Sequence, residues 1–420
     1  MKVAISVRGR FWAFDLAREL AREGALQRLI TSAPALLAER FGVPRGLVIG
    51  LPAYELLARG ARHLPMAADR ALEAPVAAAF GRAAARRIPL YPDVFVGWSG
   101  SSLEGLRVAK DRGALTVLER GSAHIETQDE ILGALAEHTG IPLRRPSPAV
   151  VRREILEYQL ADRIAVPSDF VAASFVARGF APERLIVNPF GVDLAAFTPA
   201  TSPPLNPRLL CVGRVGARKG SHVLIDAFLQ SGVRGELVFV GPIEPEFSAR
   251  ARAAASDRVR FLGPVPQAQL PALYQSATAF ALPSFEEGLA MVILQAMACG
   301  LPVLVSDHTG VAGLFDERHG ALLHQAGDTQ TLVAQIERLG RAPDRAREFG
   351  ARAAGAVARG FTWRDYAARA LAAYHGALAP APPRLAPAVR PRAGAEVQML
   401  PGQRTPPHPW VPPHRRRRAA

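Results

Sequence analysis

Short apolar runs alternate with amphipathic helical stretches twice over in this chain, and that alternation is what most constrains its fold. The first series opens with a strand at 3–7, a loop Arg8-Gly9-Arg10 and the helical run FWAFDLARELAREG, which stops at Gly24. Further strands are expected at 92–96, 115–118 and 163–166, with helices rich in Ala and Arg between them. The second series places strands at 208–212, 236–240, 259–262, 278–282 and in PVLVS at 302–306, with helices around 221–229 and 267–276. Helical stretches at 332–339 and 363–378 follow. Strands that alternate with helices in this way form βαβ units, so each series predicts a mainly parallel, doubly wound sheet. Two such sheets, joined by the proline-rich segment TPATSPPLNP at 198–207, would leave a cleft between them, where sheets of this kind bind ligands.

The expected organisation is a Rossmann-like first domain over 1–198, a Rossmann-like second domain over 199–362, and a terminal helix at 363–378 packing back on the first domain. A disordered Pro- and Arg-rich tail over 379–420 completes it. A length of 420 residues suits two domains plus extras. The two cysteines, Cys211 and Cys299, sit in apolar surroundings and read as buried thiols in a reducing compartment. MKVAISVRGR lacks the apolar length of a signal peptide and reads as a buried strand. The stretch 288–306 has no formal charge over 19 residues, but Gln295 and the Gly300-Leu301-Pro302 break make it a helix, a turn and a strand rather than a membrane span.

The formal charge of +14 suggests nucleic acid only until it is divided along the chain. The last 44 residues hold 8 basic side chains and 1 acidic, so half the excess lies in the tail, which ends near HRRRR at 414–418. Arginine outnumbers lysine 48 to 3, a compositional bias more than a DNA-binding signature. No nucleic-acid partner is expected.

Three features carry chemistry. CVGRVGARKG runs from a strand into a glycine-punctuated loop holding Arg214, Arg218 and Lys219 before a helix, a setting that suits an anion. EEGLAMVILQAMACG places Glu286 and Glu287 before an apolar helix, and Gln295 lies eight residues beyond Glu287, so that both can face one cleft. Glu286 is read as complementing the helix dipole. Gln295 is an amide among apolar neighbours, and a buried amide requires hydrogen-bond partners. ERGSAHIETQDEIL supplies His124 and Arg120 from the first half.

The ordered run FLGPVPQAQLPALYQSATAFALPSFEEGLAMVILQAMACGLPV, with the Arg/Lys loop before it and FDLAREL, VPSDFV and NPFGVDLAAF in the first half, resembles the family 4 retaining glycosyltransferases of the GT-B fold. The resemblance covers about residues 1–378 and implies two doubly wound Rossmann-like domains facing a central cleft, the first on the acceptor side and the second binding the nucleotide sugar. It implies that Arg214 and Lys219 neutralise a donor diphosphate, that Phe261 and Leu262 line the base pocket, and that the backbone of Gly288, Leu289 and Ala290 meets the phosphates. Glu287 would bind the donor sugar, and His124 would stand against it, although as a residue on its own it also reads as a satisfied loop histidine. Gly9 and Arg10, after the first strand, would reach the cleft. Gln295 stands where the family carries a second glutamate on the ribose.

These expectations amount to a metal-independent enzyme, without cofactor, that moves a sugar from a nucleotide-sugar donor to a glycan or lipid-linked acceptor in cell-surface polysaccharide or glycolipid assembly. The chain contains no Asp-x-Asp. Its place would be the cytoplasm, with peripheral contact at the anionic inner face of the membrane through arginines of 67–87. Two other readings stay open: a binding protein of the same fold that has lost catalysis, and a nicotinamide-dependent dehydrogenase. The missing G-x-G-x-x-G after the first strand speaks against the dehydrogenase.

Overall fold

A computed structural model describes residues 1–61, 66–201 and 207–379. The tail at 380–420 and part of the proline-rich linker lie outside the described residues, so the expectations for them do too. The first sheet has seven strands: β1 (Val3–Val7), β2 (Leu26–Thr31), β3 (Val48–Gly50), β4 (Val94–Trp98), β5 (Leu115–Glu119), β6 (Arg163–Val166) and β7 (Leu185–Val187). Their order is β3-β2-β1-β4-β5-β6-β7, and every pairing is parallel. The second sheet comprises β8 (Arg208–Val212), β9 (Glu236–Val240), β10 (Val259–Phe261), β11 (Ala279–Leu282), β12 (Val303–Ser306) and β13 (Ala321–His324). It is ordered β10-β9-β8-β11-β12-β13 and is also wholly parallel.

Helices cover both faces of each sheet, which is why the central strands are apolar without alternation: all five residues of β1 (VAISV) and of β4 (VFVGW) are buried. β2, β3, β7 and β13 are additions to the sequence reading. β3 and β7 are three-residue edge strands with no fully buried residue, and β2 carries half-buried Gln27 and Arg28. In each sheet the strand order reverses beside its first strand: β1 lies between β2 and β4, and β8 lies between β9 and β11. The loops that leave these strands flank a topological switch point, where doubly wound sheets bind ligands.

The last described helix packs on the first domain. The helix Trp363–Leu378 begins at a capping box between Thr362 and Asp365, and the Tyr366 hydroxyl donates to Glu119 at 2.9 Å. The Asn188 amide donates to the Tyr366 carbonyl at 3.2 Å. Cys211 and Cys299 are both buried free thiols, and burial pushes both up to about 12. Among the described residues no helix is long and apolar enough to cross a membrane.

Candidate functional site

The loop between β8 and the helix Ser221–Gln230 and the loop after β11 are neighbours because β8 and β11 pair. They pack closely. Gly220, at φ +68, caps that helix, and a Cβ there would lie 2.0 Å from the Pro283 carbonyl oxygen. The approach fixes where the two preceding side chains go. Arg218 Nη1 lies 2.5 Å from Glu287 Oε1, and Lys219 Nζ lies 2.6 Å from the same oxygen. The Glu287 N–H donates to the His308 carbonyl at 2.9 Å, which holds the backbone at that carboxylate. Burial pushes the Glu287 carboxyl up, but Arg218 and Lys219 outweigh it and hold the group below its ordinary range. The cluster is therefore an ionised carboxylate with two cations on it, at the switch point of the second domain.

Arg218 is the arginine on Glu287, whereas the resemblance assigns Arg214, with Lys219, to the donor diphosphate. The Arg214 side chain is exposed, four residues earlier in the loop. Phe261, at the end of β10, stacks on Phe239 with ring centroids 5.0 Å apart, and Leu262 after it is 40% exposed. Leu289 is buried, and Gly288 is enclosed by the first domain: a Cβ there would lie 2.0 Å from the Gly121 carbonyl oxygen. The Gly288 carbonyl also accepts from Ser168 Oγ at 2.5 Å. The helix expected to begin near Gly288 spans Met291–Ala298, with Ala290 as its N-cap. Gln295 sits on this helix, half-buried, and its Oε1 accepts from the Tyr274 hydroxyl at 3.2 Å. The partner that a buried amide needs is thus supplied in part by the protein itself.

Glu286 departs from its reading. It lies five residues before that helix, and its fully buried carboxylate turns to the other domain instead of to a helix N-terminus. Oε1 accepts from the Ala123 N–H at 3.1 Å and Oε2 from the Gln128 side-chain amide at 3.0 Å. His124 departs as well. It is the N-cap of Ile125–Thr139, with Nδ1 accepting from the Glu126 N–H at 3.4 Å. Its ring lies 5.0 Å from both Tyr158 and Phe175 and 5.8 Å from Phe180. At 2% exposure it caps its helix and packs among these rings. Burial, with Arg178 and Arg120 nearby, lowers it to about 4, so it stays neutral near pH 7. Gly9 lies at φ +95 after β1, its N–H donating to Ser32 Oγ at 2.7 Å. The Arg10 guanidinium stacks 3.8 Å over the Phe41 ring.

Sequence reasoning did not single out Tyr274, the partner of Gln295, or Glu119 in the first domain. Tyr274 comes from the helix Leu270–Gln275. Glu119, at the end of β5, accepts from Trp12 Nε1 at 3.2 Å and from Tyr366, which ties the loop after β1 to the terminal helix. Partners separated by 107 and 247 residues leave no local signal.

Two facing parallel-sheet domains of this topology are the GT-B fold. The chain superposes on sucrose-phosphate synthase from Thermosynechococcus elongatus with a TM-score of 0.70 at 20% identity, covering 90% of this chain and 99% of the other. It superposes on Anabaena HepE in complex with UDP at 0.64 and 18% identity, covering 90% and 100%. Residues 206–341, within the second domain, match the family model of group 1 glycosyl transferases. A D-inositol 3-phosphate glycosyltransferase from Pseudarthrobacter chlorophenolicus is 32% identical over 271 residues, 58% of this chain and 63% of that protein. The match spans less than two thirds of that relative's length.

Proposed function

We propose that the chain is a glycosyltransferase that moves a sugar from a nucleotide-sugar donor to a hydroxyl of a glycan or lipid-linked acceptor, with retention at the anomeric carbon and without a metal. The observation that carries this reading is the Arg218–Glu287–Lys219 cluster at the switch point of the domain that matches the group 1 model. Without donor, Glu287 pairs with both cations and leaves the cluster one positive charge in excess. A diphosphate carries more negative charge than one carboxylate and takes Arg218 and Lys219, with Arg214 available at the mouth of the loop. Glu287 is then free to accept from a hydroxyl of the donor sugar. As the bond between the anomeric carbon and the phosphate oxygen breaks, charge accumulates on the diphosphate, where the fixed cations stabilise it. The acceptor oxygen bonds to the same face of the sugar, and its proton passes to the departing phosphate oxygen. His124 has no part in this scheme.

The test is a donor screen that measures release of UDP, GDP or ADP in the presence of candidate acceptors, with and without EDTA. Acceptor-dependent release of one nucleotide, at an unchanged rate in EDTA, is the expected result. No release from any nucleotide sugar would sink the activity, and loss in EDTA restored by Mg²⁺ or Mn²⁺ would sink the metal-independent form of it. The membrane part of the reading rests on exposed Arg82, Arg86 and Arg87 at the end of the helix Met66–Ala85 and beyond it. Co-sedimentation with anionic but not zwitterionic vesicles, lost at high salt, would support it.

Gln295 sets a further expectation. If its amide also reaches the ribose, Gln295→Ala should weaken nucleotide binding by about 1–3 kcal/mol, since buried polar partners are left unsatisfied. Gln295→Glu should keep activity, because a carboxylate still accepts from Tyr274. Calorimetry with the free nucleotide distinguishes these. Unchanged affinity for Gln295→Ala would make the amide a partner of Tyr274 alone.

A further inference from the structure

A continuous chain of buried and half-buried polar contacts runs from the core of the first domain to Glu287. Glu154 Oε2 accepts from Arg120 Nη1 at 2.7 Å, and Arg120 donates through Nη2 to Gln128 Oε1 at 2.9 Å. Arg120 also donates twice to the Ala123 carbonyl, at 3.1 and 2.9 Å, which fixes the loop 120–124 in one shape. Gln128 and the Ala123 N–H then donate across the cleft to Glu286. On the second domain, Arg218 Nη1 lies 2.8 Å from the Glu286 carbonyl oxygen, 3.5 Å from its Oε2 and 2.5 Å from Glu287 Oε1. Beside this chain the backbones of Gly121 and Gly288 meet with no room for a side chain, and Ser168 donates to the Gly288 carbonyl.

We propose that Glu286 is a positioning residue that latches the two domains and transmits their closure to Glu287 through Arg218. The part concerning Glu287 rests on the proposed glycosyl transfer; the latch itself does not. A fully buried carboxylate requires donors on its oxygens, and both of its neutral donors belong to the other domain. When the domains part, Glu286 loses both and water takes their place. Arg218 then has one fewer fixed neighbour to hold it against Glu287. Closure and the geometry of the sugar-binding carboxylate are thereby one event, which confines transfer to the closed state where water is excluded.

The chemistry of the contact gives a specific test. In Glu286→Gln the new amide N–H₂ meets a donor in either orientation, the Gln128 N–H₂ or the Ala123 N–H, so one cross-cleft bond is lost. Gln128 cannot turn over, because Arg120 already holds its Oε1. Adding Gln128→Glu restores every cross-cleft bond, since that carboxylate accepts from both Arg120 and the amide at 286. Spin labels at Glu183→Cys and Arg341→Cys, on exposed positions of the two domains, report the interdomain distance by pulsed electron resonance; the buried native thiols do not label. The parent should give one narrow distance, Glu286→Gln a longer or broader one, and the double variant the parent's. Donor turnover in Glu286→Gln should fall about 10- to 100-fold with donor KM nearly unchanged, as for a slightly misplaced reacting group, and should recover in the double variant.

Distances in Glu286→Gln identical to the parent's, or a double variant no narrower than Glu286→Gln, would overturn the latch. A widened distance with undiminished turnover would overturn the link to Glu287. Should Glu286→Gln fail to fold, Gln128→Ala loosens the same contact from the first domain, and an unchanged distance there overturns the latch equally. If the parent transfers no sugar, the proposed activity fails while the distance measurements still decide the latch.

Discussion

Glu287→Gln should lower transfer turnover by about 100- to 1000-fold, the usual range for removing one fixed electrostatic contact from a transition state, while leaving nucleoside diphosphate binding as tight as in the parent or tighter. The second half of that statement distinguishes the site from a simple pocket. In the ligand-free protein Glu287 holds Arg218 and Lys219 at 2.5 and 2.6 Å and so competes with the diphosphate for them. An amide competes less, because it carries no charge and presents N–H₂ to cations that are themselves only donors. The same change removes the carboxylate that would accept from the donor sugar, and that interaction is the one that matters as the sugar gains positive character. Turnover and affinity should therefore move apart. Steady-state rates with the donor found in the screen, and calorimetry with its free nucleotide, measure the two separately. A loss of turnover under ten-fold, or a parallel loss of nucleotide affinity, would remove Glu287 from the role proposed for it.

Contacts local in sequence were legible before the structure, and contacts made across the fold were not. The strand–helix alternation located nine of the strands because buried parallel strands are continuous apolar runs, as in VAISV and VFVGW. Edge strands have no such run: VIG and LIV are short and half-exposed, so nothing in their composition separates them from loops. In the site, the loop 213–220 and the stretch 286–295 could be placed together because each motif is contiguous. Which arginine of the loop meets Glu287 could not, since Arg214 and Arg218 are chemically alike and the choice depends on the close approach of Gly220 to Pro283. His124 and Glu286 show the same limit in opposite directions. The histidine that looked chemical is packed by Tyr158 and Phe175, distant residues of its own domain. The carboxylate that looked like a helix-dipole partner meets Ala123, 163 residues away, in the other domain.

Glu119 carries a large expected effect on stability. Burial pushes its carboxyl up to about 7 from an ordinary 4.5, against the pull of hydrogen bonds from Tyr366 and Trp12. It has these two neutral donors and, among the described residues, no ion-pair partner. Because the folded value lies above the unfolded one, the folded protein binds the extra proton between about pH 4.5 and 7. Stability from this group is thus fully present at the acid end and is lost as pH rises to 7, by roughly 3 kcal/mol in all. Three buried histidines act in the opposite sense: burial lowers His124, His222 and His324 from 6.5 to about 4, so each adds stability as pH rises through that window. The parent's own profile is therefore a mixture, and the informative quantity is a difference. In Glu119→Gln the amide oxygen can take the Trp12 N–H and the N–H₂ meets the Tyr366 hydroxyl, which can accept, and the side chain has no proton to lose. Its stability relative to the parent, from denaturant unfolding, should increase by about 2.5 kcal/mol between pH 5 and 8 and level off above 7. A difference that stays flat across that range would mean that Glu119 is already ionised at pH 5, with its two donors sufficient to stabilise the charge in the core.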